Sequence, residues 1–341
     1  MHAGKKYTLV QVVKWTKKNF LMFCLVSSIP VILYEVFDLT WLKLPWLPIA
    51  SVGTAVAFYI GFKNNGAYDR LWEARKIYGG IVNSSRSLTA MLNDFIGNQF
   101  ADDKKSEQEL ENIKRRIVKR HIAWLTALRY QLRQLKKWEH DDPKTVEYRK
   151  GIVEETDGKM MEKIAKDISK EDLEYISTKG NKATQLLNIQ SKEFGQLRKD
   201  NLIDCFRHIE LQNMVTEFYT LQGKAERIKN FPFPRHYATI TEIFVWLFIL
   251  LLPFGMMTEF ASIGEGFIWA SIPFSGLVSW VFHTMNKIGE SSENPFEGMF
   301  NDVPITALSR TIEIDLLEMI DEPKESIPEP LGPVTEFETL M

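Results

Sequence analysis

The chain has 341 residues, 45% of them hydrophobic and 25% charged, with a formal net charge of −2 and a mean hydropathy of −0.17. So small a net charge gives no basic footprint for nucleic acid. With only two cysteines, Cys24 and Cys205, neither a disulfide framework nor a cysteine-built zinc site is expected.

The near-zero hydropathy is an average over long apolar runs and strongly charged stretches. Residues 1–18 carry Lys5, Lys6, Lys14, Lys17 and Lys18 and no acid. A first apolar run, Phe20 to Phe37, follows, with Glu35 near its end as its only charge. It is longer than a signal-peptide core and no Ala-x-Ala-like site follows it, so it reads as a retained transmembrane helix. A short link with Asp38 and Lys43 leads to a second run, Trp46 to Phe62, which has no charge.

Residues 64–235 are mostly charged, with apolar positions at helical spacing. Ser106 and Glu109 fit a capping box before Ile113, Ile117, His121 and Leu125. Ser169 and Asp172 give a similar start before Leu173 and Ile176. Leu186, Ile189, Leu202, Phe206, Ile209 and Phe218 belong to a third long pattern, and the polar section Asp141 to Gly180 reads as partly loop. A third apolar run, Ile243 to Met257, is short unless Tyr237 to Glu242 joins it. The link after it carries Glu259 and Glu265 and no Lys or Arg. The fourth run, Gly266 to Met285, has only His283 as a titratable group. The last stretch holds Pro323, Pro328, Pro330 and Pro333 among acids and is expected to be extended and flexible.

About 20 mostly apolar residues cross the hydrocarbon as a helix. Buried helices of a large soluble core would also be apolar, but the loop charges fit a membrane. Lysines before the first run and acids in the third-to-fourth link place both chain ends and the middle region in the cytoplasm. Trp41, Trp46 and Trp269 fall near the outer ends, where interface aromatics sit. The predicted fold is an all-α integral membrane protein with four transmembrane helices and a long-helix cytoplasmic region. Its segments are 1–63 (N-terminus and first two spans), 64–235 (cytoplasmic helices), 236–286 (last two spans), 287–320 (cytoplasmic) and 321–341 (tail).

No Walker-type loop, His-Glu-x-x-His pair or Gly-x-Ser-x-Gly elbow occurs in the sequence. The six histidines are scattered, and His208 and Glu210, two apart, do not share a helix face. No catalytic residue, metal site or cofactor is predicted.

The stretch Gly61 to Arg75 reads Gly-Phe-Lys-Asn-Asn-Gly-Ala-Tyr-Asp-Arg-Leu-Trp-Glu-Ala-Arg. Physically it is a helix leaving the membrane. Lys63, Arg70 and Arg75 are placed to meet headgroups, and Tyr68 and Trp72 suit an interface, so a plain membrane anchor would account for it. Its wording resembles the bacterial branch of the bestrophin family. The residues of this first block that match are Asn64, Asn65, Tyr68, Asp69, Arg70, Trp72, Glu73 and Arg75, and Asn83-Ser84-Ser85-Arg86 continues it. A second block, Glu293-Asn294-Pro295-Phe296 with Asn301-Asp302-Val303-Pro304, also resembles that family. So does the helix after it, with Arg310, Glu313 and Asp315.

The resemblance implies a homopentamer in the plasma (inner) membrane, with lipid around it and one axial pore for small monovalent ions. By the family's name the ions are chloride and other anions. A monovalent-cation channel of the same fold, or a non-channel scaffold or receptor, are the alternatives. Thr54, Phe58 and Phe62, spaced i, i+4 and i+8 on one face of the second run, fall where the family places its hydrophobic neck. Family members commonly have an aliphatic residue at the first of these positions, so the Thr54 ring is expected to be wider and wetter. Ile209 falls where a second, cytoplasmic constriction is expected. Animal members bind calcium through an acidic run that here reads Glu297-Gly298-Met299-Phe300-Asn301-Asp302. Met299 and Phe300 are not hard oxygen ligands, so calcium gating of that kind is not expected.

Overall fold

The computed structural model describes residues 1–264, 266–334 and 338–341; Glu265 of the third-to-fourth link and tail residues 335–337 lie outside the described residues. In chain order the helices are α1 (Leu9–Glu35), α2 (Trp46–Phe95), α3 (Glu107–Arg133), α4 (Pro143–Ile152), α5 (Met160–Ile164), α6 (Lys170–Ser177), α7 (Lys182–Lys199), α8 (Cys205–Asn230), α9 (Arg235–Ile263), α10 (Ser271–Glu290) and α11 (Ile305–Met319). Short 3-10 turns fill several links. Among the described residues the only β pairing is two isolated bridges, His2 with Thr339 and Val334 with Thr339.

The chain divides into two compact units. The apolar unit contains residues 4–70 and 232–293. Three stretches, Leu9–Glu35, Thr40–Phe95 and Cys205–Ile263, contain helix long and apolar enough to cross a membrane. The short third run is resolved by α9, which starts just after Pro234 and takes in Tyr237 to Glu242. α10, with 20 residues, is not among the three. Its buried face is Ser271, Ser275, Gly276, Ser279, His283 and Asn286, which lowers its hydropathy. Those small residues let helices approach. A Cβ on Gly276 would lie 2.5 Å from Cys24 Sγ on α1. Close backbone packing of this kind replaces the hydrophobic drive that is absent inside a bilayer. Phe23, Ile49, Val56, Ile60, Val245, Phe248 and Leu252 form the unit's core.

The polar unit contains residues 1–3, 71–231 and 294–341. The Ser106–Glu109 capping box forms at α3, and Ser169 accepts from Asp172 N at α6. α3 is buried along most of its length, with Trp124 Nε1 donating to Gln222 Oε1 at 2.9 Å. His121 Nε2 lies 2.8 Å from Ser85 Oγ, and complete burial pushes its pKa down to about 3. Ion pairs are buried here as well. Glu155 accepts from Arg129 Nη1 at 2.7 Å and from Thr306 Oγ1 at 2.7 Å, and Lys229 pairs with Glu139. The section 141–180 holds three short helices, α4 to α6, separated by turns. In the tail, Leu340 N donates to Met1 O at 2.7 Å, Ala3 N to Glu338 O at 2.8 Å and Ala307 N to Met341 O at 2.6 Å. The last residues are thus seated against residues 1–3 and the start of α11.

Candidate functional site

α2 does not stop where the charged residues begin. It runs 50 residues without a break, so the onset of charge at Lys63 marks a change of surroundings and not a helix end. Within the apolar unit its two faces differ sharply. Gly53, Val56, Ile60, Lys63 and Ala67 are buried, while Thr54, Phe58, Phe62, Asn65 and Asp69 are exposed. At about 100° per residue, these five exposed positions fall within an arc of about 80°, opposite the buried face. They span about 22 Å of helix axis.

The buried face is fixed by close contacts. A Cβ on Gly53 would come within 2.6 Å of the Phe248 ring of α9. Lys63 Nζ donates to Asn286 Oδ1 at 3.0 Å, and Asn64 Nδ2 donates to the Met285 carbonyl at 3.0 Å. Gly289 sits directly on Asn64: an added Cβ would be 2.1 Å from Asn64 Oδ1. These contacts to α9 and α10 set the rotation of α2 and turn Phe58 and Phe62 outward, each 66% exposed. Thr54 is exposed too, but its hydroxyl donates to the Ala50 carbonyl at 3.0 Å.

The remaining family-block residues divide by unit. In the apolar unit Tyr68 is exposed and Arg70 half-buried. In the polar unit Glu73 pairs with Lys76 at 2.7 Å, and Arg75 lies over the exposed Trp72 ring at 5.8 Å. Phe296 is buried against Tyr78, ring centroids 5.9 Å apart, while Asn294 Nδ2 donates to Glu297 and Pro295 O accepts from Val303 N at 3.1 Å. Arg86 Nε donates to Asp315 at 2.8 Å, and Arg310 pairs with Glu313 at 3.0 Å.

The acidic run folds inward. Asp302 accepts from the amides of Gly298 at 2.5 Å and Met299 at 3.1 Å and lies 3.5 Å from Arg133 Nη1. Burial pushes its pKa up to about 6 against the pull of Arg133. Glu297 accepts from His140 N at 2.6 Å. Among the described residues no group of three or more His, Cys, Asp or Glu side chains converges to hold a metal ion. Ile209 is 48% exposed on α8, one turn after the exposed Cys205, so it is not a core residue of the single chain. The structure places Thr54, Phe58 and Phe62 on one exposed face of the apolar unit and Ile209 in the polar unit. Asn65 and Asp69, which the sequence marked only as motif residues, continue the Phe58–Phe62 face. The i+3 and i+7 steps from Phe62 carried that signal.

Comparison with known proteins follows the same outline. A family model described as "Bacterial/Fungal Bestrophin protein" matches residues 10–318. The voltage-dependent anion channel-forming protein YneE of Escherichia coli (strain K12) is 27% identical over 293 residues, covering 84% of this chain and 82% of the relative. Voltage-dependent anion channel-forming protein mll4386 of Mesorhizobium japonicum is 25% identical over 311 residues, covering 90% and 85%. The crystal structure of a bacterial bestrophin homolog from Klebsiella pneumoniae superposes with a TM-score of 0.73 at 24% identity, covering 89% of this chain and 98% of that one. At that identity the likeness speaks for the fold.

Proposed function

This chain is a member of the bacterial and fungal bestrophin family, and we propose that it forms an oligomeric membrane channel in which the exposed face of α2 lines the ion path. The observation that carries this reading is the rotation of α2. Two large aromatics, Phe58 and Phe62, are held outward by contacts on the opposite side of the helix. Fivefold symmetry turns each into an apolar ring, in which water competes poorly with an empty pore and ions cross only when the neck is wet. Thr54 forms the outer ring of this neck. Ile209 forms a further constriction, a role its exposure supports.

In this reading α10 is the fourth span and the polar unit is cytoplasmic. That residues 1–3 and 294–341 share the polar unit supports having both chain ends on that side. The permeant ions are small and monovalent, and the relatives' names point to anions. The test is recording from purified full-length protein in planar bilayers under a KCl gradient, with the mass of the complex measured in detergent. A pentamer with discrete currents is expected. A monomer with no current overturns the reading, because the exposed α2 face lines a path only where several copies meet.

A further inference from the structure

Resting on the reading that the α2 face lines the path, we infer that Asp69 is a selectivity residue whose carboxylate weights the path toward cations, against the anion preference that the relatives' names suggest. α2 distributes its charges unevenly around its axis. Between Trp46 and Arg70 the helix has three: Lys63, Asp69 and Arg70. Lys63 is buried on the opposite face and held by Asn286. Arg70 is half-buried and about 100° round the helix from Asp69. The outward face therefore carries a single charge in this unit, and it is negative.

Asp69 lies two turns past Phe62, with the exposed Asn65 between them. An ion leaving the apolar ring meets first an amide and then a carboxylate. Among the described residues of the chain Asp69 has no hydrogen bond or ion pair, and it is exposed, so its charge is not cancelled locally. Symmetry repeats it around the axis. A ring of like charges beside a narrow low-dielectric neck raises the local concentration of counter-ions and repels co-ions. Lys63 and Asn286 cannot offset it from behind, because the ammonium is on the far side of the helix. The neck itself has no charge, so the nearest fixed charge past it sets the bias. The effect is electrostatic and screened, with a Debye length of about 10 Å at 0.1 M salt and about 3 Å at 1 M.

Purified full-length channels are recorded in bilayers under a KCl gradient, comparing the native protein with Asp69→Asn, Asp69→Glu and, as an independent probe of the path, Phe62→Ala. Asp69→Asn is expected to lower the potassium-to-chloride permeability ratio about threefold or more, and Asp69→Glu to keep it. Phe62→Ala raises conductance without a comparable change in that ratio. If Phe62→Ala raises conductance while Asp69→Asn leaves the ratio unchanged, the selectivity role is wrong and the pore reading stands. If neither changes conduction, the α2 face is not the path and both fall. Should Asp69→Asn fail to assemble, the native channel decides: the ratio must decline as symmetric background salt rises from about 20 mM to about 1 M, and a flat ratio overturns the role.

Discussion

Both units bury large apolar side chains, and they differ in the polar residues buried beside them. In the polar unit the deepest side chains are large, among them Trp124, Phe194 and Phe218, and charges are buried with their partners. In the apolar unit Ser27, Ser271, Ser275 and Ser279 are buried, while Leu25, Leu47 and Leu250 are exposed. One rule explains both. In water, apolar area is what packing removes from solvent. In lipid, apolar area costs nothing outside, and helices gain by close approach of small surfaces. The α2 face departs from both patterns: Thr54, Asn65 and Asp69 share it with Phe58 and Phe62, and a lipid-facing stripe has no use for an exposed carboxylate.

The contrast can be broken first where charge is buried. Glu155→Ala leaves Arg129 with Glu154, at 2.9 Å, as its remaining carboxylate and should cost about 1.5–3 kcal/mol, read as a loss of thermal or denaturant stability of the detergent-solubilised protein. Ser275→Ala, also fully buried but without a hydrogen-bond partner in the apolar unit, should barely move it. Equal losses would erase the distinction between the units. Next comes packing of small residues. Gly289→Ala drives a methyl into Asn64 and should cost about 1–3 kcal/mol. By contrast, Gly79→Ala meets nothing within 4 Å and should be neutral or slightly stabilising.

A smaller effect sharpens the polar side through pH. Burial, then repulsion from Glu313, pushes the Asp167 pKa up to about 7. The unfolded chain releases this proton near about pH 4. The folded state therefore holds a proton that the unfolded state has lost between about pH 4 and 7, and stability falls as pH rises through that window. Asp167→Asn should stabilise the protein at pH 8 by on the order of 1 kcal/mol after allowing for solvent screening, read as a higher melting temperature, with little change at pH 4. A variant that shifts stability equally at both pH values would show that titration is not the cause.

The apolar runs, the Ser106 cap and the phase of Thr54, Phe58 and Phe62 could be read from sequence because each depends on neighbours a few residues away. The continuation of α2 to Phe95 could not. Gly66 and Gly80 sit in tight contact with the Phe233 ring and the Leu221 side chain, partners far away in sequence. The fate of the acidic run was equally hidden. Asp302 is neutralised by Arg133 across 169 positions of chain, and only the fold brings them to 3.5 Å. The exposure of Ile209, which a helical pattern assigns as readily to a core, depends in the same way on tertiary packing.

The central claim is that the outward face of α2, and no other exposed aromatic surface of the apolar unit, lines the path. Phe274 of α10 is exposed to a similar extent, 51% against 66% for Phe58 and Phe62, and lies off that face. Bilayer currents of correctly assembled Phe58→Ala, Phe62→Ala and Phe274→Ala channels test the claim directly. The account predicts higher conductance and open probability for the two α2 variants and native currents for Phe274→Ala. Native currents from both α2 variants, or an equal rise in all three, would contradict it.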